Sequence, residues 1–166
     1  MIKFFLILIL SFIINSCNKL EFVYDDSINP ENPLYNKSIY EFSGKDIPFL
    51  YKHVSGYLGK ANEVFYLISI STSEKKIKRA VQSNQAVSKL DYELDINYQV
   101  KDMSKKCIIF NKNIVSKFSY TPKSAGYNFG SDKSLDKMYE DATQNNLRDF
   151  LNLVSKNNIS DCLNES

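Results

Sequence analysis

From Tyr92 to Val100 the sequence alternates strictly: Tyr92, Leu94, Ile96, Tyr98 and Val100 are bulky and apolar or aromatic, and Glu93, Asp95, Asn97 and Gln99 are polar. Successive side chains of a strand point to opposite faces, so this run lays one face on a core and leaves the other in water. Lys101 to Lys106 then make a turn. Ile108, Phe110, Ile114, Phe118 and Tyr120 repeat the apolar parity, so the following strand pairs back as a long hairpin that Pro122 ends.

Elements on either side supply what such a half-wet sheet needs, a covering layer. Upstream, Lys37 to Phe42 reads as a short strand stopping at Ser43-Gly44. A helix is expected next, with Asp46 as its cap, Ile47-Pro48 in its first turn, Leu50, Tyr51, Val54, Tyr57 and Leu58 on one stripe, and Gly59 at its end. Gly56 inside it costs about 1 kcal/mol relative to Ala. Val64 to Ser71 reads as a strand that begins buried on both faces and ends half exposed, and Thr72 to Arg79 as the charged turn after it.

Downstream, Ser134 to Ser155 is an amphipathic helix. Leu135, Met138, Tyr139, Ala142, Leu147, Phe150, Leu151 and Val154 form its apolar stripe, with Asn145-Asn146 as a minor polar defect. The order β-α-β-β-β-α predicts an α+β, two-layer sandwich with two helices packed on one face of a four-stranded mixed sheet. A chain of 166 residues with 43% hydrophobic residues suits one such domain and excludes a multidomain enzyme or a disordered tail.

The first sixteen residues do not belong to that fold. Lys3 precedes an apolar run, Phe4 to Leu10 with Phe12, Ile13 and Ile14, that reads as an export signal. At about 11 residues it falls short of the roughly 20 that cross a bilayer as a helix. Its end, Ile14-Asn15-Ser16-Cys17, resembles the bacterial lipobox, which implies cleavage before Cys17 and lipidation of that residue. Three acyl chains on one residue make an effectively permanent anchor. Asn18, where an Asp would direct inner-membrane retention, implies the outer membrane. Residues 17–36, with Asp25-Asp26, Pro30 and Pro33, read as an extended tether, residues 37–156 as the domain, and residues 157–166 as a mobile polar tail. Cys107 and Cys162 would face an oxidising compartment, where they could pair or stay apart.

Chemistry-bearing constellations are scarce. His53 has no Cys or carboxylate pair at ligand spacing and reads as a surface or edge histidine. Asp25-Asp26 and Glu140-Asp141 are adjacent pairs whose side chains diverge, as solvated surface carboxylates do. With no Gly-rich phosphate loop, nucleophile elbow or Cys-x-x-Cys, the sequence implies no catalytic residue, metal site or cofactor. A net charge of +2 does not point to nucleic acid. What stands out is Lys75, Lys76, Lys78 and Arg79, four cations within five residues, which either engage phosphates of a polyanion or blunt a sheet edge.

Taken together, the lipobox at Cys17, the tether, the order of elements, the Tyr92 to Val100 strand with its mate running to Phe118-Ser119-Tyr120, and the closing helix with Lys137-Met138-Tyr139-Glu140 and Phe150-Leu151 resemble the lipopolysaccharide-assembly lipoprotein family LptE. The sequence departs from that family at Asn18-Lys19 and at Gly56 in the first helix. The resemblance implies a non-enzymatic outer-membrane lipoprotein facing the periplasm, which assists assembly of the LptD β-barrel and plugs it for lipopolysaccharide insertion. By position in the family's loops, it implies lipopolysaccharide contact through Lys75, Lys76, Lys78, Arg79 and Lys133. A stand-alone, lipid-anchored periplasmic binding or envelope-interaction module is the alternative, because small sandwiches serve many functions. A lipid-anchored hydrolase lacks its residues.

Overall fold

The computed structural model describes residues 32–81, 87–121, 134–157 and 161–163. Cys17, the export signal, most of the tether and Lys133 lie outside the described residues. The chain runs β1 (Ser38–Gly44), α1 (Leu50–Leu58), β2 (Tyr66–Val81), β3 (Val87–Asp102), β4 (Cys107–Tyr120) and α2 (Leu135–Lys156). The sheet order is β1-β2-β3-β4, with β1 parallel to β2 and the other pairs antiparallel. This is the α+β sandwich on a mixed sheet that the sequence predicts.

The alternating run works as expected. Tyr92, Leu94, Ile96, Tyr98 and Val100 are all buried, joined by Ile68 and Ile70 of β2 and Phe110 of β4. α1 covers them with Leu50, Val54 and Leu58, and α2 with Tyr139, Thr143, Asn146, Leu147, Phe150 and Val154. Phe150 stacks on Tyr98 at 4.3 Å and meets Phe110 edge-on at 5.5 Å. Asn146 is no defect. Fully buried, it accepts from the Tyr98 hydroxyl at 2.9 Å and donates to the Ile114 carbonyl at 3.0 Å and to Ser116 Oγ at 2.9 Å, latching α2 to β3 and β4.

Several local expectations are corrected. The helix α1 begins at Leu50 behind Phe49, which sits in the left-handed region, and no side chain caps it. Ile47 precedes Pro48, whose ring disfavours helical backbone one residue earlier, so Asp46 is too far upstream to cap. Gly59 ends α1 as expected, because φ is +68° and a Cβ there would collide with the Asn36 side chain. Val64 and Phe65 are exposed rather than buried, since β2 starts only at Tyr66. Ser134 does cap α2, accepting from the Lys137 amide at 3.2 Å.

Both ends of the chain's domain are also tighter than the sequence suggests. In the supposed tether, Leu34 is fully buried, Asn32 Nδ2 donates to the Tyr57 carbonyl at 3.2 Å, and the Asn36 amide donates to the Leu58 carbonyl at 2.8 Å. The packed unit therefore includes the turn before β1. In the supposed mobile tail, Cys162 is disulfide-bonded to Cys107 and the Leu163 amide donates to the Ile108 carbonyl at 2.8 Å.

Burial drives the Tyr98 phenol well above its ordinary pKa, and burial followed by the facing Glu74 does the same to Tyr139. A folded-state value raised above the unfolded one means that the stability involved is complete below pH about 10 and is lost as pH rises beyond it. Urea midpoints measured from pH 8 to 11.5 should therefore fall at the alkaline end, with a shallower fall in Tyr98→Phe; equal slopes would refute this.

Candidate functional site

The basic run is not a turn. Thr72 to Arg79 continues β2, paired residue by residue with β3 as far as Lys78↔Leu90, and the strand ends only at Val81. No Gly, Pro or Asn interrupts Ser71 to Ala80, and Ile77 keeps an apolar position in the run, so charge alone does not stop the ladder. The connecting residues 82–86 lie outside the described residues.

A strand sends neighbouring side chains to opposite faces, which divides the four cations. Lys76 lies on the helix side, 5.2 Å above the Tyr92 ring and 3.6 Å from Glu74. Lys78 shares that side by register. Tyr92 stacks on Phe118 at 4.8 Å, Tyr139 meets both rings edge-on, and the Tyr139 hydroxyl donates to Glu74. This aromatic group closes the distal end of the core. A 22-residue helix spans about 33 Å against roughly 50 Å for a 16-residue strand, so the hairpin overhangs it.

Lys75 and Arg79 face the uncovered side of the sheet. Arg79 Nε is 2.6 Å from Asp91 Oδ2, Ser119 Oγ donates to Asp91 at 2.7 Å, and Lys117 Nζ is 2.9 Å from Glu93. The Ser119 hydrogen bond and then Arg79 hold the Asp91 carboxyl below its usual range, and Lys117 does so for Glu93. Lys75 stands opposite Glu93 in the register. Arg79, Asp91, Glu93, Lys117 and Ser119 line an open depression of about 200 Å³ that also includes Ile77. An anion arriving here meets Arg79 and Lys117, with Lys75 next to Glu93 on the same face, but must compete with two carboxylates. Lys117 escaped sequence reading because only the hairpin register brings it beside Glu93.

Further along the same face the charges give way to hydroxyls and amides. Ser71 pairs with Asn97 and Asn97 with Asn113; Ser69 pairs with Gln99 and Gln99 with Asn111. Asn97 Nδ2 donates to Asn111 at 3.1 Å and Ser69 Oγ to Glu41 at 2.7 Å.

His53 is half-buried beside α2 rather than at an edge. Its Nε2 has no hydrogen-bond partner among the described residues, and burial holds its pKa below the ordinary value against the opposing pull of Glu140. Among the described residues no group of three or more His, Cys, Asp or Glu side chains converges as a metal site requires, and no helix is long and apolar enough to cross a membrane.

No family model matches the chain, and no curated protein is significantly similar to it. Its structural neighbours include bacterial lipoproteins. A candidate lipoprotein from Caulobacter crescentus superposes with a TM-score of 0.51 at 11% identity, covering 73% of this chain and 89% of that one. Rare lipoprotein B from Shewanella oneidensis gives a TM-score of 0.47 at 11% identity, covering 72% and 97%. Lipoprotein B from Nitrosomonas europaea gives 0.46 at 14%, covering 72% and 82%. The Caulobacter likeness shows a shared fold.

Proposed function

We propose that the protein is an outer-membrane lipoprotein, anchored through Cys17, that assists assembly of an LptD-type β-barrel and plugs it during insertion of lipopolysaccharide into the outer leaflet. The observation that carries this reading is the sheet face turned away from α1 and α2, a long surface of serine, asparagine, glutamine and paired charges with no helix over it among the described residues. Wide barrels have polar, water-filled lumens that their own side chains do not fill. A small rigid sandwich with one hydrophilic face fits such a lumen. The lipobox and the element order that resemble LptE supply the membrane and the partner, and the fold shared with a candidate lipoprotein agrees with them.

Within this reading, Lys75 and Arg79, with Lys117, are the cations that lipopolysaccharide phosphates meet on the open face, and Lys133, outside the described residues, is assigned by the resemblance alone. Tagged protein extracted from its native membrane in mild detergent should carry a stoichiometric outer-membrane barrel and an acylated Cys17, both read by mass spectrometry. An acylated chain without a barrel sinks the plug and leaves a stand-alone envelope module.

A further inference from the structure

Ser38, Tyr66, Asp102 and Cys107 stand in one transverse row, which marks the end of the sheet where the chain enters. The residues that gather there are unlike the rest of the surface. Val64, Phe65, Met103 and Leu163, each between 41% and 48% exposed, account for half of the large apolar side chains exposed among the described residues. The Met103 amide donates to the Phe65 carbonyl at 2.9 Å, so the loop before β2 and the β3–β4 turn form one tip. Leu163 is held at the same end by its bond to Ile108 and by the neighbouring disulfide.

Exposed lysines surround this apolar tip: Lys37, Lys60, Lys101, Lys105 and Lys106. The facing carboxylates are Glu63, Asp161 and Asp102, and Asp102 is turned onto the Ser104 and Lys105 amides and the Ser104 hydroxyl. Among the described residues at this end, positive charge is therefore in excess. Apolar side chains flanked by lysines are the composition of a surface that seats at the headgroup boundary of an anionic bilayer.

The chain's path supplies the occupant. Fourteen residues lie between Cys17 and Asn32, a reach of at most about 54 Å, and Asn32 to Lys37 pack at this same end. A domain tied to acyl chains through that link meets the bilayer at high effective concentration. We infer that the Val64, Phe65, Met103 and Leu163 tip with its lysine rim is a membrane-docking surface for anionic phospholipid, which holds the domain end-on against the leaflet that carries its anchor. The inference rests on the lipid anchor of the proposed function, not on the barrel.

The chain contains no tryptophan, so a single introduced fluorophore reports on the tip at position 65 or on β1, four residues in from the end row, at position 42. Acylated full-length F65W and, as control, F42W are reconstituted into phosphatidylethanolamine–phosphatidylglycerol vesicles bearing brominated acyl chains. F65W should shift to the blue and lose most of its emission, F42W should not, and K101E/K106E in the F65W background should restore the emission while the protein still floats with the vesicles. Floating protein whose F65W emission stays unquenched overturns the docking surface and leaves the tip to a protein partner. A chain that neither floats nor carries acyl groups on Cys17 overturns the anchor instead. Added unanchored to the same vesicles, it upholds the tip if its F65W emission is quenched and sinks it if not.

Discussion

Asn146→Ala should lower the free energy of unfolding by about 2–5 kcal/mol, a large part of what a domain of this size possesses. The side chain is fully buried and serves three partners at once. Removing it leaves the buried Tyr98 hydroxyl without its bond at about 1–3 kcal/mol, frees the half-buried Ile114 carbonyl at the lower end of that range, and opens a small void besides. Asn145, its exposed neighbour, provides the contrast: Asn145→Ala should stay within about 0.5 kcal/mol. Tyr98→Phe should cost less in the Asn146→Ala background than in the natural protein, because its hydroxyl has then already lost its acceptor. Urea denaturation of the five chains measures this, with slopes checked for equality before midpoints are compared. Equal effects at positions 145 and 146 would mean that the latch carries no weight.

That residue also shows where sequence stops being informative. Asn146 looks like a flaw in an apolar stripe because its partner Tyr98 is 48 positions away, outside any local window. The strand from Tyr92 to Val100 was legible for the opposite reason, since one wet face writes its period directly into adjacent residues. The start of α2 at Ser134 was legible because its apolar stripe opens at Leu135, whereas the capping bond that Ser134 makes to the Lys137 amide came only with the structure. The basic run misled because charge resembles a turn, whereas the ladder is decided by β3, which sets Glu93 and Asp91 opposite Lys75 and Ile77. Separating the four cations onto two sides changes the candidate site from a phosphate clamp into a cross-strand charge ladder that also recruits Lys117. Leu34 and Leu163 show the same limit at the two ends: each is an apolar residue in a polar stretch, and only its contacts reveal that it belongs to the folded unit.

Reducing the Cys107–Cys162 bond should lower the stability by about 2–4 kcal/mol and the melting temperature by on the order of 10 °C. The bond joins residues 55 apart, and closing a loop of that length removes about 4 kcal/mol of chain entropy from the unfolded state, an upper figure because unfolded chains keep some structure. Its second effect is local. It holds the segment that gives the Leu163 amide to Ile108, while Asn146 occupies the Ile114 carbonyl further along the same outer strand. β4 is thus occupied at two points by groups from outside the ladder, and losing one of them exposes backbone that can pair with another chain. C107S/C162S should therefore melt earlier and also associate at concentrations where the natural protein stays monomeric, read by melting curves and sedimentation. Leu163→Pro separates the two effects, since it keeps the covalent link but removes the amide donor. It should leave most of the entropic stabilisation intact while raising association. If Leu163→Pro loses as much stability as the double serine variant, the hydrogen bond at Ile108 rather than loop closure is what holds the end of the sheet.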